Sequence, residues 1–158
     1  MTGLAIYRTP IAPEWIDYNG HVRDAYYGLM ASLAVDALMD QIGIDAHYRE
    51  QSGCTLYTVE MHIHYLREIG VSDTVDVKAR ILGADPKRIH AALELTCGES
   101  EETAAACEMM LLHVCQTPTV HTAPFPDRIA AAIAELQRAT AALPASAPGS
   151  RRMELIRR

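Results

Sequence analysis

Residues Pro13–Tyr27 read P-E-W-I-D-Y-N-G-H-V-R-D-A-Y-Y. The stretch joins the carboxylate of Asp17 to an Asn-Gly turn, a histidine and the start of a long apolar run. An Asn-Gly pair reaches positive φ with little strain, so Asn19-Gly20 can reverse the chain tightly. Asp24 suits the N-cap of the run that follows. The turn therefore carries Asp17 toward the open N–H groups of a helix start. Those groups hold partial positive charge and can stabilise an oxyanion. A carboxylate beside an oxyanion site is a workable apparatus for hydrolysing an ester or thioester. The same residues also make an ordinary loop and cap, in which Asp17 and His21 only tie down the turn. Spacing alone leaves both readings open.

Downstream, the pattern predicts a helix over about Ala25–Ile42, stopped by Gly43. Gly28, Ser32, Asp36 and Asp40 fall four apart and make one narrow polar stripe. Leu29, Met30, Leu33, Ala34, Val35, Ala37, Leu38 and Met39 cover the remainder. A helix apolar around most of its circumference must be buried around most of it. It is roughly 25 Å long, so something has to wrap it.

The rest of the chain supplies the wrapper. Leu4–Pro10 reads as a short strand. Asp45–Gly53 is polar and loop-like, with room for a short helical turn. Thr55–Glu68 alternates, with Tyr57, Val59, Met61, Ile63 and Tyr65 on one face and Thr58, Glu60, His62 and His64 on the other. Thr74–Leu82 and Arg88–Thr96 alternate again across a turn at Gly83–Pro86. Thr103–Cys115 has alanines and methionines that would suit a helix. Its place after two hairpin-like turns favours a strand. Pro118–Pro126 reads as a loop. Asp127–Leu143 reads as an amphipathic helix with Ile129, Ile133, Leu136 and Leu143 as its ridge. One buried helix followed by antiparallel strands is an α+β arrangement, a curled sheet around a central helix. The expected organisation is one domain over residues 1–143 and a mobile charged tail over 144–158.

Composition narrows the function. Apolar residues make up 49% and charged residues 22%, as in an ordinary globular chain. The net charge is −6, and the last fifteen residues hold four arginines and one glutamate, which leaves −9 on the remainder. A body that acidic lacks the basic face of a nucleic-acid binder. No stretch has the length and apolarity of a bilayer span, and the N-terminus has no signal-peptide pattern. Cys54, Cys97, Cys107 and Cys115 show no CxxC spacing. They read as reduced, and the compartment as cytoplasm.

The order of elements and the motifs resemble the hot-dog-fold acyl-CoA thioesterases of the 4-hydroxybenzoyl-CoA thioesterase-like branch, and within it the betainyl-CoA thioesterases of carnitine breakdown. The matching stretches are W-I-D-Y-N-G-H-V-R-D-A-Y-Y, Q-S-G-C-T-L-Y-T-V-E-M-H-I-H-Y-L, I-L-G-A-D-P-K-R-I-H and E-M-M-L-L-H-V before T-A-P-F. They cover most of residues 6–126. Cys115 departs from the pattern, which has an aspartate closing that strand.

The resemblance implies the hot-dog fold and hydrolysis of an acyl-CoA substrate with no cofactor. Asp17 would be the catalytic carboxylate, as general base or as nucleophile. Backbone N–H groups near Asp24 and Ala25 would polarise the thioester carbonyl. Asn19 would orient water or Asp17, and His21 would either brace the turn or move a proton. It further implies a homodimer joined edge to edge, with each cleft shared, or a homotetramer.

Other groups carry two readings each. Trp15, Tyr18, Tyr26 and Tyr27 with Glu60 form a set suited to a quaternary ammonium group, or are packing residues. Glu60 and His62 line a cleft, or form the polar face of a half-buried strand. With His64 they could instead bind zinc, but no third histidine has a helpful spacing. Lys87, Arg88 and His90 on their hairpin would receive the phosphates of coenzyme A, or form a solvated turn. A hot-dog hydratase is a second function class, and it wants an Asp–His dyad on a proline-bearing loop. A non-catalytic acyl-CoA-binding module is the third.

Overall fold

β1 (Leu4–Pro10) leads into a 3-10 turn at Pro13–Trp15, and α1 (Asp24–Ile42) follows. Then come α2 (Ala46–Ser52), β2 (Cys54–Tyr65), β3 (Thr74–Ala84), β4 (Arg88–Cys97), β5 (Glu102–Cys115), β6 (His121–Thr122) and α3 (Asp127–Ala141). This is a computed structural model, and it describes residues 4–98 and 102–141. The expected tail at 144–158 and Leu143 lie outside the described residues.

All strand pairs are antiparallel, in the order β1-β3-β4-β5-β2, with β6 pairing the end of β5. α1 lies in the concavity of this sheet and buries Met30, Ala31, Ala34, Val35, Leu38, Met39 and Ile42. Ser32, Asp36 and Asp40 stay exposed, as the polar stripe predicts. The α+β hot-dog arrangement is borne out. Gly43 ends α1 at φ 86°, with its N–H directed to Met39 O and Asp40 O. The opposing strand faces contribute Val75, Val77, Ile81, Ile89, Leu93, Leu95, Met109 and Leu111 to the core. Thr103–Cys115 is strand throughout, because it pairs along both sides. Ala104 and Ala105 are buried between neighbouring strands, where helix propensity decides nothing.

Four readings need correction. First, the N-cap of α1 is Arg23, with no side-chain cap, and Asp24 is the first helical residue. Arg23 N–H donates to Trp15 O at 2.9 Å, which fixes residue 23 in extended backbone and starts the helix one residue early. Second, Asp45–Gly53 is mostly helix. Asp45 Oδ1 accepts from Tyr48 N at 2.8 Å, and Gly53 closes α2 at φ 66°.

Third, β2 does not keep one face. The register shifts between Thr58 and Glu60, so Val59 is an extra residue in the ladder. Cys54, Leu56 and Thr58 share a side with Met61, Ile63 and Tyr65, since all six pair with the odd-numbered residues of β5. Tyr57 falls on the opposite side, where its hydroxyl accepts from Gln116 Nε2 at 3.1 Å.

Fourth, Cys54 and Cys115 form a disulfide across β2 and β5. They stand opposite one another in the ladder although 61 residues separate them, a pairing that local spacing cannot reveal. Cys97 and Cys107 are buried and stand outside this disulfide.

Buried His113 ties the far end together. Its Nε2 is 2.9 Å from Tyr48 Oη and its Nδ1 2.9 Å from Ala123 O. One neutral tautomer serves both, with Nδ1–H donating to the carbonyl and Nε2 accepting from the hydroxyl. α3 packs Ile129 and Ile133 inward against β3. No helix among the described residues is long and apolar enough to cross a membrane.

Candidate active site

The D-Y-N-G-H turn is a closed loop. Ile16 and Val22 pair as an antiparallel bridge, Asp17 N–H donates to His21 O at 2.9 Å, and Gly20 N–H donates to Asp17 O at 3.0 Å. Gly20 sits at φ 82°, which other residues seldom adopt. Asn19 N–H donates to Asp17 Oδ1 at 2.8 Å, and the Asn19 amide lies 3.5 Å from Oδ2. The half-buried Asp17 side chain is thereby fixed within the turn that leads into α1.

The β2–β3 connection braces the turn from behind. Val22 N–H donates to Ile69 O at 2.8 Å, and His21 Nε2 lies 3.1 Å from Glu68 Oε2. Tyr27 Oη donates to Arg67 O at 3.2 Å. Arg67 itself pairs with Glu102 of β5.

The helix mouth is aromatic. Trp15 and Tyr26 stack at 5.4 Å between centroids, and Tyr27 meets Tyr65 edge-on at 5.2 Å. Tyr65 Oη donates to Asp24 O at 3.4 Å. Burial raises the Tyr65 hydroxyl pKa, and the Asp24 carboxylate raises it further. Burial likewise raises that of Tyr27. Tyr18 stands apart, 90% exposed. Asp24 Oδ1 accepts from Ala25 N–H at 2.9 Å, so in the free protein this donor is already occupied.

Glu60 and His62 do not join this group within one chain. They lie 3.3 Å from each other on the outer sheet face, while the alternating Met61 and Ile63 pass over Gly28 of α1. His90 and Glu108 lie on that outer face too, 3.4 Å apart. Among the described residues no group of three or more His, Cys, Asp or Glu is placed to hold a metal ion.

The hairpin holds Lys87 and Arg88 side by side. Asp85 Oδ2 lies 2.6 Å from Arg88 Nη2, and Asp85 Oδ1 accepts from the N–H groups of Lys87 and Arg88. Burial pulls the Asp85 carboxyl upward, but these bonds outweigh it and hold its pKa below the ordinary value. Lys87 Nζ lies 3.4 Å from Thr122 Oγ1. His90 is buried and points away from the turn's tip.

Residues 11–133 match the thioesterase-like superfamily. This chain belongs to that superfamily. The thioesterase-like chain is 43% identical to a betainyl-CoA thioesterase of Pseudomonas aeruginosa, over 89% of this chain and 88% of that one. Its fold matches a crystal structure of a candidate thioesterase from Pseudomonas putida KT2440 with TM-score 0.83, at 39% identity and over 99% of both chains. A Staphylococcus aureus protein solved in complex with CoA matches with TM-score 0.83 at 26% identity, over 99% of this chain and 98% of that one.

Sequence reasoning missed three residues that contact the turn and the helix start: Tyr65, Arg67 and Glu68. None lies within thirty-five residues of the turn that each supports, and no local motif marks them. The alternation of β2 did place Tyr65 on a strand face, but the bulge decides which one.

Proposed function

We propose that this chain hydrolyses an acyl-CoA thioester to the free acid and CoA, with betainyl-CoA as the substrate and betaine as the acid. The observation that supports the reading is the Asp17 carboxylate, held by Asn19 N–H in the closed turn that leads into α1. The likeness to a betainyl-CoA thioesterase over most of both chains supports the acyl group.

As general base, Asp17 takes a proton from water while the water oxygen bonds to the carbonyl carbon. The C–S bond then breaks, and CoA leaves as a thiolate that takes up the proton. As nucleophile, an Asp17 oxygen instead bonds to the carbonyl carbon, the C–S bond breaks and CoA leaves as a thiolate. Water then opens the mixed anhydride, releasing the acid, restoring the Asp17 carboxylate and supplying the proton that CoA takes up. Both routes end in the same products. The first N–H groups of α1 stabilise the oxyanion in either case. Lys87, Arg88 and His90 are the proposed CoA-binding group. The exposed Lys87 ammonium offers a charge to phosphate, while Arg88 offers one only by leaving Asp85.

β2 is an edge strand of 12 residues, with Val59 and Tyr65 about half exposed, as is Leu66 just beyond its end. Such an edge needs covering. The proposed assembly is a homodimer joined along β2.

The test is release of free CoA, read with a thiol reagent across a panel of acyl-CoAs. Betainyl-CoA is expected to be cleaved, and Asp17→Asn to lose at least about 100-fold in rate. Retention of more than about a tenth of the wild-type rate would remove Asp17 from its role. Hydration of crotonyl-CoA would indicate a hydratase instead, and binding without turnover a binding module.

A further inference from the structure

The acyl group of betainyl-CoA bears a permanent cation only two bonds from the carbonyl carbon. A counter-charge for it must therefore stand beside the reacting centre. Glu60, the carboxylate that sequence reading pairs with the aromatics, projects from the outer sheet face and lies against His62. The carboxylates near the turn are Glu14, Asp17, Asp24 and Glu68. Asp17 is held by Asn19 for the chemistry, and Glu68 faces His21. Glu14 sits on the exposed 3-10 turn before Trp15. Asp24 stands at the helix mouth itself, its side chain exposed and bound to Ala25 N–H, its carbonyl accepting from Tyr65 Oη.

We infer that Asp24 is the specificity-determining residue that recognises the quaternary ammonium of the acyl group, together with the Trp15–Tyr26 and Tyr27–Tyr65 ring pairs. This rests on the reading of the chain as a betainyl-CoA thioesterase. Three arguments support it. A thioester carbonyl that accepts from the first N–H groups of α1 brings an ammonium two bonds away next to the Asp24 side chain. A trimethylammonium donates no hydrogen bond, so carboxylate charge and aromatic faces are the means of holding it. Both occur here: Tyr65 reaches the Asp24 carbonyl and meets Tyr27 edge-on, and Trp15 stacks on Tyr26, two residues along α1 from Asp24.

The contact of Asp24 with Ala25 N–H then acquires a function. In the free protein the carboxylate occupies the donor that the carbonyl needs. A cationic acyl group offers it a second partner. Turning toward the cation requires only rotation of an exposed side chain, and it frees Ala25 N–H for the carbonyl oxygen. A neutral acyl group offers no such partner. It leaves the donor blocked and a negative charge beside the developing oxyanion.

The experiment compares kcat/KM for betainyl-CoA and for 3,3-dimethylbutanoyl-CoA, its uncharged counterpart of the same shape. Wild type, Asp24→Asn, Glu14→Gln and Glu60→Gln are measured. Wild type is expected to prefer the cationic substrate. In Asp24→Asn the ratio of the two values is expected to fall about tenfold or more. The ratio is taken within one variant, so partial misfolding cancels from it. A wild type that treats both substrates equally would reject betainyl-CoA as the substrate. A wild type that prefers the cation, with Asp24→Asn keeping the whole preference, would overturn the role of Asp24 alone. Loss of the preference in Glu14→Gln or Glu60→Gln, but not in Asp24→Asn, would do the same and move the counter-charge to that residue.

Discussion

His21 Nε2 lies 3.1 Å from Glu68 Oε2, which binds the Asp17–His21 turn to the β2–β3 connection 47 residues away. Both side chains are largely exposed, so the pair contributes only about 0–1 kcal/mol to stability. Its effect is on position. The His21 carbonyl accepts from Asp17 N–H, so movement of His21 is transmitted to the carboxylate. Glu68→Gln is expected to lower kcat about tenfold while KM changes little, because small misplacements of a reacting group are costly. Glu68→Asp should recover part of the loss. Steady-state kinetics with a thermal melt checks this, and unchanged kcat in Glu68→Gln would leave the pair with no positioning role.

Along the β2 edge, Val59 is the residue that the bulge leaves without a ladder partner, and it is 54% exposed. A lysine on an edge strand discourages pairing with another chain. Val59→Lys is expected to shift a dimer toward monomer in light scattering and to reduce activity with it. A wild-type protein that is a stable, active monomer would reject the shared-cleft assembly.

The Cys54–Cys115 bond closes a loop that contains the whole of β2, β3, β4 and β5. For a loop of that length the chain-entropy account gives about 4 kcal/mol of stabilisation. The double variant Cys54→Ser/Cys115→Ser is expected to melt about 10 °C lower than the oxidised protein, and wild type under reductant should match it. Equal melting temperatures with and without reductant would show that the crosslink contributes nothing.

Cys97 and Cys107 are buried, and burial pushes their thiols up from the ordinary 9.0 to about 11 and about 12. A folded-state pKa raised above the unfolded one favours folding fully below the unfolded value. That contribution is lost as pH rises through the folded value. The thiols should therefore resist alkylation near neutral pH, and stability should decline above about pH 9. Cys107→Ala is expected to flatten this alkaline decline. Melting temperature measured from pH 8 to 11 in both proteins is the check, and parallel curves would contradict it.

Local sequence determined the parts that depend on neighbours along the chain. The apolar run ending at Gly43 specifies a buried helix because 3.6-residue periodicity is readable in one dimension. Asp17, Asn19 and Gly20 specify their turn because every bond within it spans at most four residues. The turn chemistry and the alternating strands were enough to give a sheet wrapped around a helix. Tertiary structure decided the remainder, because it depends on which distant residues meet. The bulge at Val59 arises from pairing β2 with β5, and it sends Glu60 and His62 to the face away from α1. The same pairing brings Cys54 to Cys115. The packing of the end of β2 and the β2–β3 connection against the turn and the start of α1 brings Glu68 to His21 and Tyr65 to Asp24. Each of these contacts closes a loop of forty residues or more, and no local pattern encodes the partner across such a gap.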